Sequence, residues 1–147
     1  MVAGGMVRLA MLQRLEQARQ REVDQLTSEL GAQEQLRQRY QRNLARLSEL
    51  TEGAGPSGVM PPRLASVCAD YKLSLMGLAA EHARDLRRHE QEMGATRHRL
   101  AEATRRHQVA EHLRQQEEST VLRARQLREQ KTQDEIAGNV WQRSRNH

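Results

Sequence analysis

The strongest constraint on this chain is a glycine- and proline-rich stretch near its middle. Residues 53–62 read Gly-Ala-Gly-Pro-Ser-Gly-Val-Met-Pro-Pro, and they contain all 3 prolines of the 147-residue sequence. Proline lacks the backbone N–H that a helix needs and clashes with the preceding turn, so a helix cannot continue through this stretch. The sequence therefore predicts one arm before Thr51 and a second arm after Pro62. Pro61-Pro62 suits a helix start, because proline is tolerated in the first turn.

The first arm shows the 3-4 spacing that is typical of a coiled-coil seam. Most seam positions are apolar, and the residues between them are largely Arg, Gln and Glu. The seam positions are Leu9, Leu12, Glu16, Arg19, Val23, Leu26, Leu30, Gln33, Arg37, Tyr40, Leu44 and Leu47. Leu15 and Leu36 lie one position off this seam. Gly31 weakens the helix by about 1 kcal/mol relative to alanine.

The second arm continues the same pattern over a longer stretch. Tyr71, Leu75, Leu78 and His82 form a first stripe, and the 3-4 spacing resumes at Leu86. Its positions are Leu86, His89, Met93, Thr96, Leu100, Ala103, His107 and Ala110. The 4-4 step from Leu78 through His82 to Leu86 predicts a stutter that locally unwinds a supercoil. Beyond Leu113 the seam thins to Val121, Ala124 and Leu127.

These patterns predict an all-α fold in which two long helices form an antiparallel coiled-coil hairpin. We expect a single coiled-coil domain over 1–147. Its predicted parts are helix 1 over about 6–51, the linker 53–62, helix 2 over about 63–137 and a frayed tail 139–147. Gly138 is the expected helix end. A short connection favours antiparallel neighbours, and the second helix is then longer, so about 112–138 has no intramolecular partner.

Composition agrees with a thin helical core. The sequence has no Phe, 1 Trp and 2 Tyr. Aromatic side chains supply much of the buried area of a thick globular core, so a β-sandwich or an α/β enzyme with a deep pocket is disfavoured. The abundance of Ala, Glu, Leu, Arg and Gln is typical of long helices and coiled coils.

The sequence contains no recognisable catalytic or metal-binding motif. Gly4-Gly5 and the linker lack the Lys-Ser/Thr of a phosphate-binding loop, and a nucleophile elbow is missing. The six histidines lie at 82, 89, 98, 107, 112 and 147, and no two of them have the i, i+4 spacing of a helical metal site. Cys68 is the only cysteine, so an intrachain disulfide is impossible. We therefore expect no enzymatic activity, metal, cofactor or small-molecule substrate.

The distribution of charge along the sequence argues against nucleic-acid binding, although the net charge is +5. The cations are interleaved with anions rather than gathered in a block, and aromatic stacking residues are scarce. The apolar residues at the start of the sequence are interrupted by Arg8, which leaves them too short for a membrane span. We expect a soluble, unsecreted protein without a nucleic-acid partner.

One C-terminal segment resembles a known family. It reads Arg123-Ala-Arg-Gln-Leu-Arg-Glu-Gln-Lys-Thr-Gln-Asp-Glu-Ile136. FliJ proteins of the flagellar export apparatus carry a similar R-x-x-x-x-R-E-Q-K-x-x-D-E-hydrophobic segment near their ends. A weaker similarity is the stripe from Tyr71 to His82, which resembles the aromatic and aliphatic stripe that opens the second helix in that family. The layout of two arms and a linker is also similar to FliJ.

The resemblance implies a non-enzymatic cytoplasmic component of the flagellar type III export apparatus. FliJ is a two-stranded antiparallel coiled coil, similar to the central stalk subunit of rotary ATPases. It lies peripheral to the membrane at the flagellar base. Its implied partners are the flagellar export ATPase ring (FliI-like), the cytoplasmic domain of the membrane export-gate protein (FlhA-like) and export chaperones.

The resemblance also implies two sets of contact residues. The expected ATPase contacts are Arg123, Arg125, Arg128, Glu129, Gln130, Lys131, Asp134 and Glu135. The expected export-gate contacts are Tyr71, Leu75, Leu78 and His82, which could instead pack in the seam against the first arm. The chain departs from the family in its Gly- and Pro-rich linker and in the few aromatic residues of its second helix.

Two other functions remain open from the sequence alone. The first is the analogous stalk protein of an injectisome secretion system, which a sequence separates poorly from the flagellar protein. The second is a homodimeric structural coiled coil with no ATPase partner.

Overall fold

Both arms form continuous α-helices in the computed structural model, which describes residues 2–147. Helix α1 spans Val2–Gly53 and helix α2 spans Pro62–Arg145. The two helices pack against each other, and none of the residues from 2 to 147 lies in a β-strand. The predicted all-α hairpin with a longer second helix is therefore confirmed.

The chain divides into two compact units, each built from parts of both helices. Unit 1 comprises Met1–Val23 and Glu102–His147, and unit 2 comprises Asp24–Ala101. In unit 1, Glu22 pairs with Arg106 and Glu16 with Arg114. In unit 2, the carbonyl of Gln33 contacts His89, and Glu29 pairs with Arg99. Within each unit the α2 number rises as the α1 number falls, which makes the helices antiparallel.

Each unit has a narrow core along the seam between α1 and α2. The buried side chains of unit 2 are Leu75, His89, Met93 and Thr96, and those of unit 1 are Ala103 and Ala110. The Thr96 hydroxyl is satisfied because it donates to the carbonyl of Glu92, at 3.2 Å. Alanines at the seam of unit 1 leave little side-chain volume between the helix backbones, so α1 and α2 can approach closely.

The periodicity identified the inner face of both helices. All twelve predicted seam positions of α1 are partly buried, whereas the off-seam Leu15 and Leu36 are exposed. In α2, every predicted seam position from Leu86 to Ala110 is buried or partly buried. These seam predictions are confirmed.

The predicted stutter in α2 is wrong. Ala79, rather than Leu78, is partly buried between Leu75 and His82, so the 3-4 spacing runs without interruption into Leu86. Leu78 is exposed. The larger side chain misled the sequence argument, because a seam between closely packed helices also accepts a small residue.

The linker is short and depends on two glycines. Gly55 has φ of 111° and Gly58 has φ of 67°, which are left-handed conformations that side chains disfavour. A Cβ at Gly55 would also lie 3.2 Å from Cδ of Lys72. Helix α2 begins at Pro62, one residue before its predicted start, and the amide of Ala65 donates to the carbonyl of Pro61 at 3.0 Å.

The structure extends both helices beyond their predicted outer ends. Helix α1 begins at Val2 rather than 6, and Gly5 lies close to Val121, where a Cβ would be 3.2 Å from Cγ2. Helix α2 continues past 137 to Arg145, so 139–145 is helical rather than frayed. Gly138 lacks the left-handed conformation of a helix-ending glycine. Arg143 in the last turn also favours the helix, because cations complement its negative C-terminal end.

The unpartnered part of α2 starts later than predicted. Arg114, Glu117 and Val121 are partly buried in unit 1, whereas the sequence placed the start of the overhang at 112. Helix α1 reaches further than expected, and the polar seam position Arg114 is held by an ion pair with Glu16. Every residue from 122 onward is exposed. We call the exposed helical segment 122–145 the overhang.

Candidate protein-binding surfaces

All eight predicted ATPase contacts lie in the overhang and are exposed. Within residues 2–147, none of these eight side chains forms an ion pair. The seven charged side chains among them are therefore free to pair with groups on a partner.

These residues surround the helix instead of lying on one face. Successive helical residues turn by about 100°, so Arg123, Glu129 and Glu135 point in directions about 120° apart. A partner that contacts the whole set must enclose the overhang. A flat docking surface would reach only about a third of it.

The overhang also carries exposed apolar residues that the sequence argument did not place in a site. Leu122, Ile136 and Val140 share one face of the helix, and Leu127 and Trp141 share another. Each is more than half exposed, with Trp141 at 59%. The sequence already contained the signal, because Leu122–Ile136 and Leu127–Trp141 are both separated by two heptads.

The last helical turn holds Trp141 beneath a cation. The guanidinium of Arg145 lies 5.0 Å from the centroid of the indole ring, within the range of a cation–π interaction. The hydroxyl of Ser144 donates to the Trp141 carbonyl at 2.8 Å. These contacts are local to the last turn and leave most of the indole accessible.

The four predicted gate residues divide between two environments. Leu75 is buried, and His82 is partly buried in the seam of unit 2. Tyr71 and Leu78 are exposed, at 54% and 43%. The structure therefore does not present the four as one surface: Leu75 and His82 pack inward, and Tyr71 and Leu78 face outward.

The two exposed members belong to a longer apolar row on α2. Leu64 and Val67 are also exposed, and the spacings from 64 through 67 and 71 to 78 keep all four on one face. We call Leu64, Val67, Tyr71 and Leu78 the apolar row. The seam pattern did not predict Leu64 and Val67, although they belong to a second 3-4 spacing one position away from the seam.

Metal sites and membrane-spanning helices are absent from the described part of the chain. From residue 2 to 147, no group of three or more His, Cys, Asp or Glu side chains could hold a metal ion. Within the same residues, neither helix contains an apolar stretch long enough to span a bilayer.

The fold and its surfaces define a two-helix antiparallel coiled-coil protein with an unpartnered helical end and an exposed apolar row. The family model described as "Flagellar FliJ protein" matches residues 8–146, which is nearly the whole chain. The chain therefore belongs to the FliJ family and is a flagellar type III export-related protein. Comparison with curated proteins and with solved structures gave no match.

Proposed function

We propose that this protein links the flagellar export ATPase ring to the membrane export gate. In this proposal it is a non-catalytic component on the cytoplasmic side of the flagellar base. Membership of the FliJ family supports a role in export, and the overhang supports the ATPase contact. The observation that carries the proposal is an exposed helix whose charged residues point in all directions.

The pore of a ring is a partner that encloses a helix. Charges distributed around the overhang can meet complementary groups on several subunits at once, which favours fast docking more than raw affinity. The apolar residues Leu127, Ile136 and Trp141 would supply buried anchors, because aromatic and aliphatic side chains carry most of the energy of an interface. Residues Arg123–Glu135 would then determine how the helix is oriented in the pore.

The test combines binding with catalysis by the partner. The purified protein is mixed with the export ATPase of the same organism, and capture on beads and the ATP hydrolysis rate are both measured. Reversing Arg125 and Arg128 to Glu should weaken binding about tenfold or more and abolish stimulation. The control Arg42→Glu changes charge on an exposed residue of α1 outside the overhang. Unchanged stimulation by the double variant would contradict the proposed ATPase contact.

The apolar row is the proposed contact with the cytoplasmic domain of the export-gate protein. Tyr71 and Leu78 would touch the gate directly, and Leu75 and His82 would act by holding α2 in place. Calorimetry can separate these roles. Tyr71→Ala should weaken gate binding with little change in Tm, whereas Leu75→Ala should lower Tm. Leu73→Ala, at an exposed position off the row, is the matched control.

Export chaperones are a further proposed partner, without an assigned surface. Two measurements address the other functions that the sequence left open. Sedimentation at the monomer mass of 16.9 kDa would contradict a homodimeric structural coiled coil. Stimulation of an injectisome ATPase in place of the flagellar enzyme would favour the injectisome stalk.

A further inference from the structure

Unit 1 contains a groove of about 250 Å³ between α1 and α2 that the proposed export contacts do not use. Its lining combines apolar and cationic side chains and contains no carboxylate. The lining residues are Leu15, Arg19, Arg105, Arg106, Val109, Ala110 and Leu113.

The groove has an apolar end and a cationic end. On α1, Leu15 and Arg19 are four residues apart, and on α2 the same spacing joins Arg105, Val109 and Leu113. Residues with this spacing are neighbours on one helix face. Because the helices run in opposite directions, the leucines gather at one end and the guanidinium groups at the other.

The apolar end is not part of the seam. Leu15, Val109 and Leu113 are exposed, at 39%, 55% and 42%. Each lies one position before a seam residue. Removing them from water would therefore favour association without requiring the helices to separate.

The cationic end is incompletely neutralised. Arg19 and Arg106 share the carboxylate of Glu22, at 3.4 and 3.2 Å, and Arg106 also lies 3.8 Å from Glu102. Arg105 pairs with no carboxylate between residues 2 and 147. Arginine binds carboxylates through two parallel N–H donors, so Arg105 can pair with a carboxylate of another molecule.

We propose that this groove binds an amphipathic helix of a partner protein whose apolar face is flanked at one end by Asp or Glu. The apolar side chains would pack on Leu15, Val109 and Leu113, and the carboxylates would meet Arg105 about one turn away. A helix laid in a hydrophobic groove is a common mode of peptide recognition. This partner is additional to the ATPase and the gate, and its binding does not depend on either proposed contact.

Three synthetic helical peptides of about four turns test the proposal on the full chain. The first has a Leu face with Glu at one end, the second replaces those Glu with Lys, and the third scrambles the Leu positions. Fluorescence anisotropy should show binding of the first only, and added salt should weaken it. Equal binding of the Glu and Lys peptides would overturn the role of Arg105. An absence of binding by the Glu peptide would overturn the proposed site.

Substitutions in the groove test whether the peptide binds there. Arg105→Glu and Leu113→Ser should each weaken binding of the Glu peptide about tenfold, because each removes one half of the recognition. The matched controls are Arg42→Glu and Leu36→Ser, which make the same changes at exposed positions in unit 2. Loss of affinity in the controls but not in the groove variants would overturn the site. Sedimentation as a dimer that Leu113→Ser dissociates would instead make a second copy the occupant, which also overturns the proposal.

Discussion

The imidazole of His89 contacts the backbone carbonyl oxygen of Gln33, with Nε2 and the oxygen 2.7 Å apart. A carbonyl can only accept, so Nε2 carries the proton and donates. The same ring lies 5.7 Å from that of Tyr40, centroid to centroid, at 46°. This buried polar contact joins α1 and α2 in unit 2 and helps to fix their register, because a shift along the seam would break it.

We expect His89→Ala to destabilise the protein by about 1–3 kcal/mol, because it removes both the packing against Tyr40 and the hydrogen bond to Gln33. Urea unfolding followed by circular dichroism measures the change. His112→Ala is the control, since His112 is exposed, and it should change the free energy of unfolding by less than about 0.5 kcal/mol. Equal effects of the two variants would show that His89 does not hold the register.

The ion pair between Arg114 and Glu16 is the corresponding contact in unit 1. Its side chains are only 23% and 21% exposed, and Arg114 also donates to Glu118 at 2.7 Å. Glu22 and Arg106 are more exposed, at 36% and 52%. Surface pairs contribute at most about 1 kcal/mol because water screens them and side-chain entropy opposes them.

A double-mutant cycle on Glu16 and Arg114 should therefore give a larger coupling energy than the same cycle on Glu22 and Arg106. We expect about 1–2 kcal/mol for the first pair and less than about 1 kcal/mol for the second. The measurement is urea unfolding of the single and double alanine variants. A coupling near zero for Glu16 and Arg114 would mean that packing alone holds this part of the seam.

Local signals in the sequence predicted most of the fold. The prolines of 53–62 and the 3-4 spacing act over a few residues, and they located the break and the inner face of both helices. The pairing of polar seam residues was not predictable, because Arg114 and Glu16 meet only once the register is set. For the same reason the overhang was predicted to start at 112, whereas in the structure it starts at 122. Side-chain size also misled the seam prediction, because it placed the larger Leu78 in the seam position that Ala79 occupies.

The candidate surfaces were predicted less completely. The segment Arg123–Glu135 was placed in an exposed helix by its polarity alone. Leu64 and Val67 were missed because a search for one seam ignores a second row beside it. Which of the four predicted gate residues pack inward and which are exposed depends on which face of α2 contacts α1. Tyr71 and Leu75 are one helical turn apart, so spacing alone could not predict that Leu75 is buried and Tyr71 exposed.

Replacing Gly31 tests helix propensity at a position where a new side chain would make no packing contact. Gly31 is exposed and helical, and a Cβ there would have no atom within 4 Å. Gly31→Ala should stabilise the protein by about 0.5–1 kcal/mol, because alanine loses less backbone entropy on folding. Thermal unfolding measures the gain.

The matched comparison is Gly5→Ala. The new Cβ would lie 3.2 Å from Cγ2 of Val121, so the helices would have to move apart slightly. The same propensity gain is then offset by crowding, and we expect little gain or a loss. If Gly5→Ala stabilised the protein as much as Gly31→Ala, the close approach of α1 to α2 at this end would be contradicted.

The boundary of the overhang can be tested by truncation. Removing the residues after Val121 deletes only exposed positions, so the free energy of unfolding in urea should stay within about 0.5 kcal/mol of that of the full chain. Ending the chain after Arg114 also deletes Glu117, Glu118 and Val121, and should cost about 1 kcal/mol or more from lost packing and the lost ion pair. Equal stability of the two truncations would place the boundary nearer 112, as the sequence alone predicted.

The last prediction concerns the pH dependence of the pair formed by Glu34 and Arg37. Arg37 donates from Nε and Nη2 to both carboxylate oxygens of Glu34, at 2.6–3.2 Å. These hydrogen bonds hold the pKa of Glu34 below its ordinary value of 4.5 and raise the pKa of Arg37. A carboxyl whose pKa is lowered by folding stabilises the folded state above its ordinary pKa, and this stabilisation is lost as pH falls through the folded value.

Glu34→Gln should therefore reduce stability at neutral pH, and the difference from the original protein should shrink as pH falls below about 4.5. Because the pair is only half-buried, the effect should be small and should weaken with added salt. Urea midpoints over a pH series measure it. The control Glu49→Gln replaces an exposed carboxylate near the end of α1 and should change the stability at neutral pH by less than Glu34→Gln does. A Glu34→Gln difference that stays constant into acid would mean that packing, rather than the charge pair, causes the loss.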